Sequence, residues 1–515
     1  MQQRSRTEYS ILNILTGVGG YIINTILGFV CRMVFVRYLS ADYLGVNGLF
    51  SNILTMLSLA ELGVGGAIVY ALYKPLAEHD EEKIASLMKI YAKAYRIIGL
   101  VVALVGLALM PFLTVIVRQP PNITENLYLL YGIYLFNTAS TYWFSYRSSL
   151  IIAAQQNYIV TGVNYLVTIL QSVVQMLYLV IAQNYLGYLI IQTIGTLVYN
   201  VAISQIAVRM FPCIKSKNVL PLPQEERQSL LRNIRDLMAY KISGLLVNST
   251  DNILITFFKG LATTGVASNY TLLVNTLNSL LSQVFNGLTA SIGNHNVVES
   301  EEHRYQLFSF LNMANFWIFG WATLGIVFVS GDLVCLCFGE EYVLDWSIPL
   351  VLALNFYTVG MQNAVWTYKH TLGLFRYGRF LQLLTATLNI VFSVLLGYRF
   401  GVAGILLATF FSRALTNLWY DPYVVFRHGF GKKIGAYARQ YLFYLVILLL
   451  AGGISAFLCR FVTGSVFVRI LWEALICSTV FHSLCLLLFH KKEEFRYAEQ
   501  LFQRVLGLVR HKGNS

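Results

Sequence analysis

The chain has 515 residues, of which 57% are hydrophobic and only 12% are charged. Its mean hydropathy of +0.62 excludes a soluble globular protein of this length, which would need a charged surface. The formal charge of +13 is explained by Lys and Arg in the cytoplasmic loops of a membrane protein, so we expect no nucleic-acid partner. An anionic substrate is a second, compatible reason for the positive charge.

Apolar runs that are long enough to cross a bilayer as helices recur along the whole chain. They begin near Ile11, Leu44, Tyr91, Leu127, Ile159, Leu186, Tyr240, Val266, Phe308, Ile348, Phe380, Gly401, Tyr441 and Val466. The sequence therefore predicts an all-α polytopic membrane protein with about fourteen transmembrane helices. Lys and Arg are concentrated in the loops of one side, which places both termini in the cytoplasm, and the even helix count requires the same.

Composition divides these helices into lobes. Residues 209–236 contain three prolines and many charges, which is typical of a cytoplasmic linker. The predicted domains are an N-terminal six-helix lobe (1–208), the linker (209–236), a C-terminal six-helix lobe (237–425), two additional transmembrane helices (426–490) and a cytoplasmic amphipathic tail (491–515). The tail has apolar residues on one face and basic residues opposite. It is either an interfacial helix on the membrane surface or an ordinary packing helix.

The second apolar run, from Leu44 to Tyr73, carries polar residues on one face of the predicted helix. They fall within roughly 120° of the helix circumference: Asn47, Ser51, Thr55, Ser58, Glu61 and Gly65. Because a carboxylate inside a span is costly in lipid, we expect this face to line protein or a water-filled cavity. Glu61 is predicted to be an ion-coupling or gating site, and a structural ion pair is the alternative.

A shift of about 220 residues brings the second half of the chain into register with the first. The eighth run has a polar face within about 80° of its circumference: Ser268, Thr271, Asn275, Asn278, Ser282, Asn286 and Thr289. The matched sets are Ser51, Thr55 and Ser58 with Thr271, Asn275 and Asn278, and Asn24, Gly28, Cys31 and Arg32 with Gly244, Asn248, Asp251 and Asn252. Tyr146-Arg147 matches Tyr368-Lys369, whereas Glu61 has no counterpart because Leu281 takes its place. Repeats of even helix number run parallel, so we predict a substrate cavity between the lobes.

Charged residues near the predicted cavity complete the candidate site. Arg32 either lines the cavity or extends its side chain to the membrane surface, and Asp251 faces it or binds a coupling ion. Arg147 and Lys369 lie at the cytoplasmic ends of the fourth and tenth helices. Topology alone explains both cations, although the pair also suits phosphate oxygens. The predicted substrate-binding residues are Arg32, Asn24, Asn47, Ser51, Thr55, Arg147, Asn248, Asp251, Asn275, Asn278 and Lys369.

No catalytic motif accompanies these features. The sequence contains no HExxH, P-loop, GxSxG or DxD pattern, and its seven cysteines lack the spacing of a metal site. The longest loops on the extracytoplasmic side are short, Gln119 to Asn126 and Gly339 to Asp345. We therefore predict a transporter without a cofactor or a metal rather than an enzyme. An integral-membrane polysaccharide polymerase or glycosyltransferase is the alternative from another class, and it would need a larger external loop.

The first two helices carry a resemblance to a known family. The similar motifs are Leu44-Gly45, Gly48-Leu49-Phe50, Leu59-Ala60-Glu61-Leu62-Gly63, Ala67-Ile68 and Tyr73-Lys74-Pro75-Leu76-Ala77, with a fainter match at Asp251-Asn252. They resemble those of Wzx-type polysaccharide flippases of the multidrug/oligosaccharidyl-lipid/polysaccharide exporter superfamily. The resemblance implies a V-shaped exporter fold that works by alternating access in the bacterial plasma membrane. It also implies translocation of a polyprenyl-pyrophosphate-linked oligosaccharide for capsule, O-antigen or exopolysaccharide biosynthesis.

The same resemblance implies partners and a coupling mode. Membrane lipids, a polysaccharide polymerase and a chain-length regulator are the expected partners, and coupling to H⁺ or Na⁺ is expected at Glu61 or Asp251. The last two helices would form a groove for the lipid tail. The alternative within the superfamily is a multidrug/cation antiporter that uses Glu61 or Asp251 as its ion site, although such exporters usually stop at twelve helices.

Overall fold

The computed structural model describes residues 6–61, 64–118, 121–216, 223–225, 228, 250–298, 300–374, 377–378 and 380–497. Within these ranges every regular element is a helix, and there is no strand. Nine helical stretches of the described chain are long and apolar enough to cross a membrane. The predicted all-α membrane fold is therefore confirmed.

Helices of eight residues or more are numbered in chain order. The first half contains α1 (Arg6–Tyr38), α2 (Ala41–Leu57), α3 (Val64–Glu78), α4 (Glu81–Leu109), α5 (Leu127–Thr141), α6 (Asn157–Ala182) and α7 (Tyr185–Met210). The second half contains α8 (Leu261–Val298), α9 (Glu301–Phe338), α10 (Ser347–Gly360), α11 (Asn363–Thr371), α12 (Leu381–Ala414), α13 (Asn417–Val424), α14 (Gly435–Cys459) and α15 (Val466–Phe489). Every predicted apolar run except the seventh coincides with one or two of these helices. The seventh lies outside the described residues as far as residue 249, and residues 250–259 are helical.

The chain divides into two compact units, residues 1–265 and 266–515. In the first unit α6 packs against α1 and α7, and α7 packs against α5. Residues just before the division pack on α2, because a Cβ added at Gly45 would lie 2.0 Å from the Leu261 carbonyl oxygen. Only glycine permits this approach of the two backbones. The predicted linker, 209–236, lies largely outside the described residues and stays a prediction.

In the second unit the two additional helices share one core with α9, which packs against both α10 and α15. The rings of Phe316 and Tyr444 stack with centroids 4.3 Å apart, and Phe481 and Phe489 of α15 complete the buried cluster. After α15, the ring of Phe495 stacks on Trp317. The described beginning of the predicted tail therefore packs on α9, as the packing-helix alternative requires, and residues 498–515 lie outside the described ones.

The second predicted span is not one continuous helix. Helix α2 ends at Leu57, a 3₁₀ turn covers Ser58–Glu61, and α3 begins at Val64. Three glycines fall within residues 63–66, and glycine weakens a helix interior by about 1 kcal/mol each. A 3₁₀ turn advances the chain by about 120° per residue rather than 100°, so the expectation of a single polar face through Glu61 and Gly65 is wrong beyond Ser58.

The eleventh and twelfth predicted spans form a hairpin around one glycine. Gly401 interrupts α12 with a φ of 60° and a ψ of −134°, a backbone conformation that residues with a Cβ rarely adopt. Across this turn the two arms are joined by hydrogen bonds between Asn389 and Thr409 (3.0 Å) and between Thr385 and Thr416 (2.7 Å). Both bonds lie in the buried interface of the hairpin.

Replacing Gly401 by Ala should lower the free energy of unfolding by about 1–3 kcal/mol, because alanine is strained at this φ and ψ. The measurement is thermal unfolding of the detergent-solubilised protein. Gly453 of α14 is the matched control, since it is helical and exposed, with no atom within 4 Å of an added Cβ. Its replacement by Ala should be neutral or slightly stabilising, and equal losses for both variants would contradict the assignment of strain to Gly401.

Candidate functional site

Helix α2 presents its predicted polar face away from the core of the first unit. Asn47 is half-buried, and Ser51 and Thr55 are exposed, whereas Leu49 and Phe50 on the other side of the helix are fully buried. The Ser51 hydroxyl donates to the Asn47 side-chain oxygen (3.3 Å), and the Thr55 hydroxyl donates to the Ser51 carbonyl (2.7 Å). These groups keep free acceptor capacity, which suits hydrogen bonding to hydroxyl groups of a ligand.

Helix α8 carries the matching face in the second unit. Asn275 is exposed, and Thr271 and Asn278 are half-buried. The Thr271 hydroxyl donates to the Ser268 carbonyl oxygen at 3.1 Å. The arrangement fits the repeat, and the role of both faces in binding stays a prediction.

Glu61 lies at the end of the 3₁₀ turn, where it meets a cluster of tyrosines. The Tyr95 hydroxyl donates to the Glu61 carboxylate with a distance of 2.6 Å. Tyr142 also interacts with Glu61 and with Ser58 through its hydroxyl. The ring of Tyr95 is 5.8 Å from that of Tyr142 and 4.7 Å from that of Tyr91. The carboxylate is thus held by phenol groups inside the first unit, as a half-buried charge requires.

The hydroxyl groups next to Glu61 form a series of hydrogen bonds in which every donor points toward Glu61. Tyr91 donates to Tyr95 at 3.3 Å, and Tyr91 and Ser149 lie 2.9 Å apart. Because Tyr91 has one hydroxyl hydrogen and gives it to Tyr95, Ser149 must be the donor to Tyr91. Gly65 leaves the space for this series, since a Cβ there would lie 3.3 Å from the hydroxyl oxygens of both Tyr91 and Tyr95. The series Ser149–Tyr91–Tyr95–Glu61 ends on its one carboxyl group, which accepts the last hydrogen bond.

Arg147 belongs to the same cluster. Its Nε donates to the Tyr146 hydroxyl at 3.0 Å, and its terminal nitrogen donates to the Ser204 hydroxyl at 2.5 Å. The ring of Tyr146 lies 6.0 Å from that of Tyr91. Among the described residues, no carboxylate forms an ion pair with Arg147. The structure therefore brings two predicted residues, Glu61 and Arg147, to one tyrosine cluster. Within the described ranges the guanidinium forms no direct ion pair, either with the Glu61 carboxylate or with another.

Lys369, the repeat equivalent of Arg147, has a different environment. Its ammonium lies 2.6 Å from Oδ1 of Asp421, and the two side chains are 13% and 2% exposed. The other oxygen of Asp421 accepts a hydrogen bond from Trp366 Nε1 at 3.1 Å. Arg147 thus contacts Ser204 of α7, whereas Lys369 of α11 contacts Asp421 of α13 and so meets a carboxylate. The two cations thus differ in their partners, and their common role in binding phosphate stays a prediction.

The remaining predicted residues are not brought to either cluster by the contacts described. Asn24 and Arg32 are half-buried in α1, and the charge of Arg32 acts on Tyr134 and Tyr188. Asp251 is half-buried in the helical segment 250–259. Asn248 lies outside the described residues. The roles assigned to these four side chains stay predictions.

The tyrosines of the first cluster and Asp421 are not among the residues predicted from the sequence. A signal exists for two of the tyrosines, because Tyr91 and Tyr95 are spaced by four residues and share a face of α4. Tyr142 and Tyr146 have the same spacing but follow the end of α5, where no helix face joins them. Asp421 gives no local signal, since its partner lies 52 residues away. Only the fold shows that the pair exists.

A second ion pair joins α9 to α15. Arg469 donates from Nε to Asp332 at 2.7 Å and from its terminal nitrogen at 2.6 Å, a bidentate arrangement. Glu473, one turn further along α15, is half-buried and interacts electrostatically with both residues. This pair fixes α15 to α9, since a bidentate Arg–carboxylate pair restricts the orientation of the two side chains as well as their distance.

The loop that follows α9 is short and fastened to the helices. The Leu344 N–H donates to the Tyr270 hydroxyl at 3.1 Å, and the Ser347 N–H donates to the Asp345 carboxylate at 2.9 Å. Hydrogen bonds from Ser347 lower the pKa of Asp345 below its usual value. This carboxylate therefore serves as a helix cap for α10. Within the described ranges, no group of His, Cys, Asp or Glu is arranged to hold a metal ion.

Solved structures share the fold. The lipid II flippase MurJ in an inward closed conformation matches with a TM-score of 0.68 and 13% identity, over 93% of this chain and 99% of that one. An inward-facing multidrug resistance MATE family transporter of the MOP superfamily matches with a TM-score of 0.54 and 14% identity, over 78% and 94%. The Vibrio cholerae MATE transporter VcmN gives 0.50 and 14%, over 81% and 97%. At these identities the likeness establishes the fold: this multi-pass membrane protein has the exporter fold of MurJ and the MATE transporters.

No protein-family model matches the sequence, and no curated protein sequence does.

Proposed function

We propose that this protein moves a polyprenyl-pyrophosphate-linked oligosaccharide across the bacterial plasma membrane, for capsule, O-antigen or exopolysaccharide synthesis. Arg147 is the observation that carries the proposal. It is a half-buried guanidinium held by two neutral hydroxyls, those of Tyr146 and Ser204. Within the described chain it has no carboxylate partner, so its charge is available to a phosphate, for which the planar guanidinium is well shaped.

The fold supports a flippase in particular. The match with the lipid II flippase extends over 93% of this chain, whereas the MATE transporter covers 78%. The longer match is expected if the flippase has counterparts of the last two helices, α14 and α15. The first of these solved proteins is named as a flippase and the second as a transporter, and neither name is that of an enzyme.

In the proposed cycle each part of the substrate meets a different surface. The sugar hydroxyls exchange water for the polar face formed by Asn47, Ser51 and Thr55, which lowers the cost of taking them out of water. The pyrophosphate binds Arg147, and the polyprenyl tail stays in lipid. A polysaccharide polymerase and a chain-length regulator are the proposed partners on the far side of the membrane, with both termini of the chain in the cytoplasm.

The two repeat-related cations have unequal roles in this proposal. Lys369 is neutralised by Asp421 at 2.6 Å, so it offers a phosphate little net charge in this conformation. Arg147 is therefore the first phosphate ligand. Lys369 joins only in a conformation that separates it from Asp421.

Replacing Arg147 by Gln should slow flipping by about tenfold or more, because hydrogen bonds to a charged group contribute about 1.5–3 kcal/mol each. The assay uses liposomes containing the purified protein and a fluorescent polyprenyl-pyrophosphate oligosaccharide, whose accessibility to an external quencher is followed. Arg147→Lys should retain part of the rate because it keeps the charge. Arg209→Gln, an exposed cation of the same unit, is the control and should leave the rate unchanged. A wild-type rate in Arg147→Gln would refute the assignment.

A cation-coupled multidrug antiporter is the second candidate, and the Glu61 carboxylate favours it. A half-buried acid held by Tyr95 at 2.6 Å is suited to bind H⁺ or Na⁺, and such an intramembrane acid is commonly functional. The test uses liposomes containing the protein. This second function would be established in place of the first if the wild type exports a cationic dye, Glu61→Gln does not, and the labelled lipid is not flipped.

A further inference from the structure

A polar cavity lies in the second unit, and its lining includes neither Lys369 nor Asp421. Its volume is about 740 Å³, within the usual range for small-molecule sites. It is bordered by the first turns of α9, the first turns of α14 and residues 492–497, which follow α15. All three segments lie at the end of the unit that carries the predicted cytoplasmic loops, where lipid headgroups meet helix ends.

Three cations line this cavity: Arg439, Lys492 and Arg496. None of them takes part in an ion pair among the described residues. Glu302, an acidic residue of the lining, is instead 3.4 Å from Lys432. A group of unpaired cations around one cavity favours an anionic group such as phosphate, which Arg and Lys bind through charge-assisted hydrogen bonds.

The lining also holds acceptors for a cation. Glu493 and Glu494 border the same cavity, and the rings of Tyr305 and Phe443 already attract ammonium groups. Lys432 Nζ lies 3.8 Å from the Tyr305 ring centroid, and Lys492 Nζ lies 4.3 Å from that of Phe443. Because lysines of the protein already contact these rings, the carboxylates are the partners of a ligand's primary amine. Both halves of a zwitterion therefore find partners in one cavity.

The wall formed by residues 492–497 is anchored to the unit. Phe495 stacks on Trp317 with ring centroids 6.1 Å apart, and the ring of Tyr497 lies 5.5 Å from that of Phe310. An anchored wall keeps the cavity formed before a ligand arrives, which reduces the entropy cost of binding. From the cavity, exposed apolar side chains continue along α14 at Leu442, Val446 and Leu449.

From these observations we propose that the cavity binds the headgroup of an aminophospholipid. Arg439, Lys492 and Arg496 hold the phosphate, while Glu493 and Glu494 hold the primary amine. The acyl chains lie along the exposed apolar side chains of α14. The ligand is a lipid of the surrounding bilayer, and its bound headgroup ties the two additional helices to that bilayer.

Native mass spectrometry of the full-length protein, with equimolar phosphatidylethanolamine, phosphatidylglycerol and phosphatidylcholine, tests the proposal. The wild type should retain phosphatidylethanolamine in preference to the other two lipids. The triple variant Arg439→Gln, Lys492→Gln, Arg496→Gln should retain about tenfold less of it. Glu493→Gln with Glu494→Gln should still bind lipid phosphate but lose the preference for phosphatidylethanolamine over phosphatidylglycerol.

The matched control makes the same change of charge at the same end of the molecule. Arg427, Lys433 and Lys491 are exposed and lie outside the cavity lining, and their replacement by Gln should leave lipid retention at the wild-type level. Equal retention by the wild type and the cavity variant would overturn the proposal. Binding of soluble phosphoethanolamine without any lipid preference would also overturn it, since the ligand would then be a free phosphate compound.

Discussion

Replacing Asp421 by Asn should lower the free energy of unfolding by about 3–5 kcal/mol, because the Lys369 ammonium would stay buried without a counter-charge. Lys369 and Asp421 are 13% and 2% exposed, and their charged atoms are 2.6 Å apart. Trp366 occupies the second carboxylate oxygen, so both oxygens of Asp421 have partners. The predicted loss is a large part of the 5–15 kcal/mol by which folded proteins are typically stable.

Thermal unfolding of the detergent-solubilised protein measures this effect, and two variants make it interpretable. Lys369→Gln combined with Asp421→Asn removes both charges and should recover most of the loss. The pair Lys432–Glu302, 3.4 Å apart with side chains 37% and 69% exposed, is the surface control, and Lys432→Gln should change stability by about 1 kcal/mol or less. A loss in Asp421→Asn no larger than in this control would show that the ion pair is not a structural element.

Replacing Glu61 by Gln should remove the response of transport to an imposed H⁺ or Na⁺ gradient. Gln has no titratable proton and no charge, but its amide oxygen still accepts the hydrogen bond from Tyr95, so the local structure is preserved. Liposomes containing the protein, with the ion gradient imposed or collapsed, provide the measurement. The wild type should respond to the gradient and the variant should transport at the same slow rate in both conditions.

Two further variants separate the tyrosine chain from the carboxylate. Tyr95→Phe keeps the acid and removes the 2.6 Å hydrogen bond, which should change the ion concentration for half-maximal transport by about tenfold. Glu125→Gln is the matched control, because Glu125 also accepts a hydrogen bond from a tyrosine, Tyr43, in the loop before α5. It should respond to the gradient as the wild type does. A normal response in Glu61→Gln would exclude this residue as the coupling site.

Much of the fold could be predicted because helices that cross a membrane appear in the sequence as long apolar runs. The break after Leu57 could not be predicted in this way, because apolar composition does not distinguish one α-helix from a helix that is followed by a 3₁₀ turn and a second helix. The polar face of α2 was predicted from local spacing and is presented away from the core. The extension of this face to Glu61 was wrong because each residue of the 3₁₀ turn rotates the chain by about 20° more than a residue of an α-helix does.

The candidate site was predictable only in its individual residues. The repeat placed Arg147 and Lys369 at equivalent positions, and the cost of a buried carboxylate singled out Glu61. The partners of these residues come from distant helices: Tyr95 lies 34 residues from Glu61, and Asp421 lies 52 residues from Lys369. Such pairings depend on helix packing, which a single sequence does not display. Leu281, the counterpart of Glu61, packs against an apolar cluster in the second unit.

The hairpin at Gly401 has a consequence for how the chain enters the membrane during synthesis. The two arms are joined by a short tip around Tyr398, whose side chain is 86% exposed. Asn389 is fully buried, and its amide is satisfied by Thr409 of the other arm. An arm that entered lipid alone would carry that amide unsatisfied, at a cost of several kcal/mol. The two arms should therefore leave the insertion machinery together, as one unit.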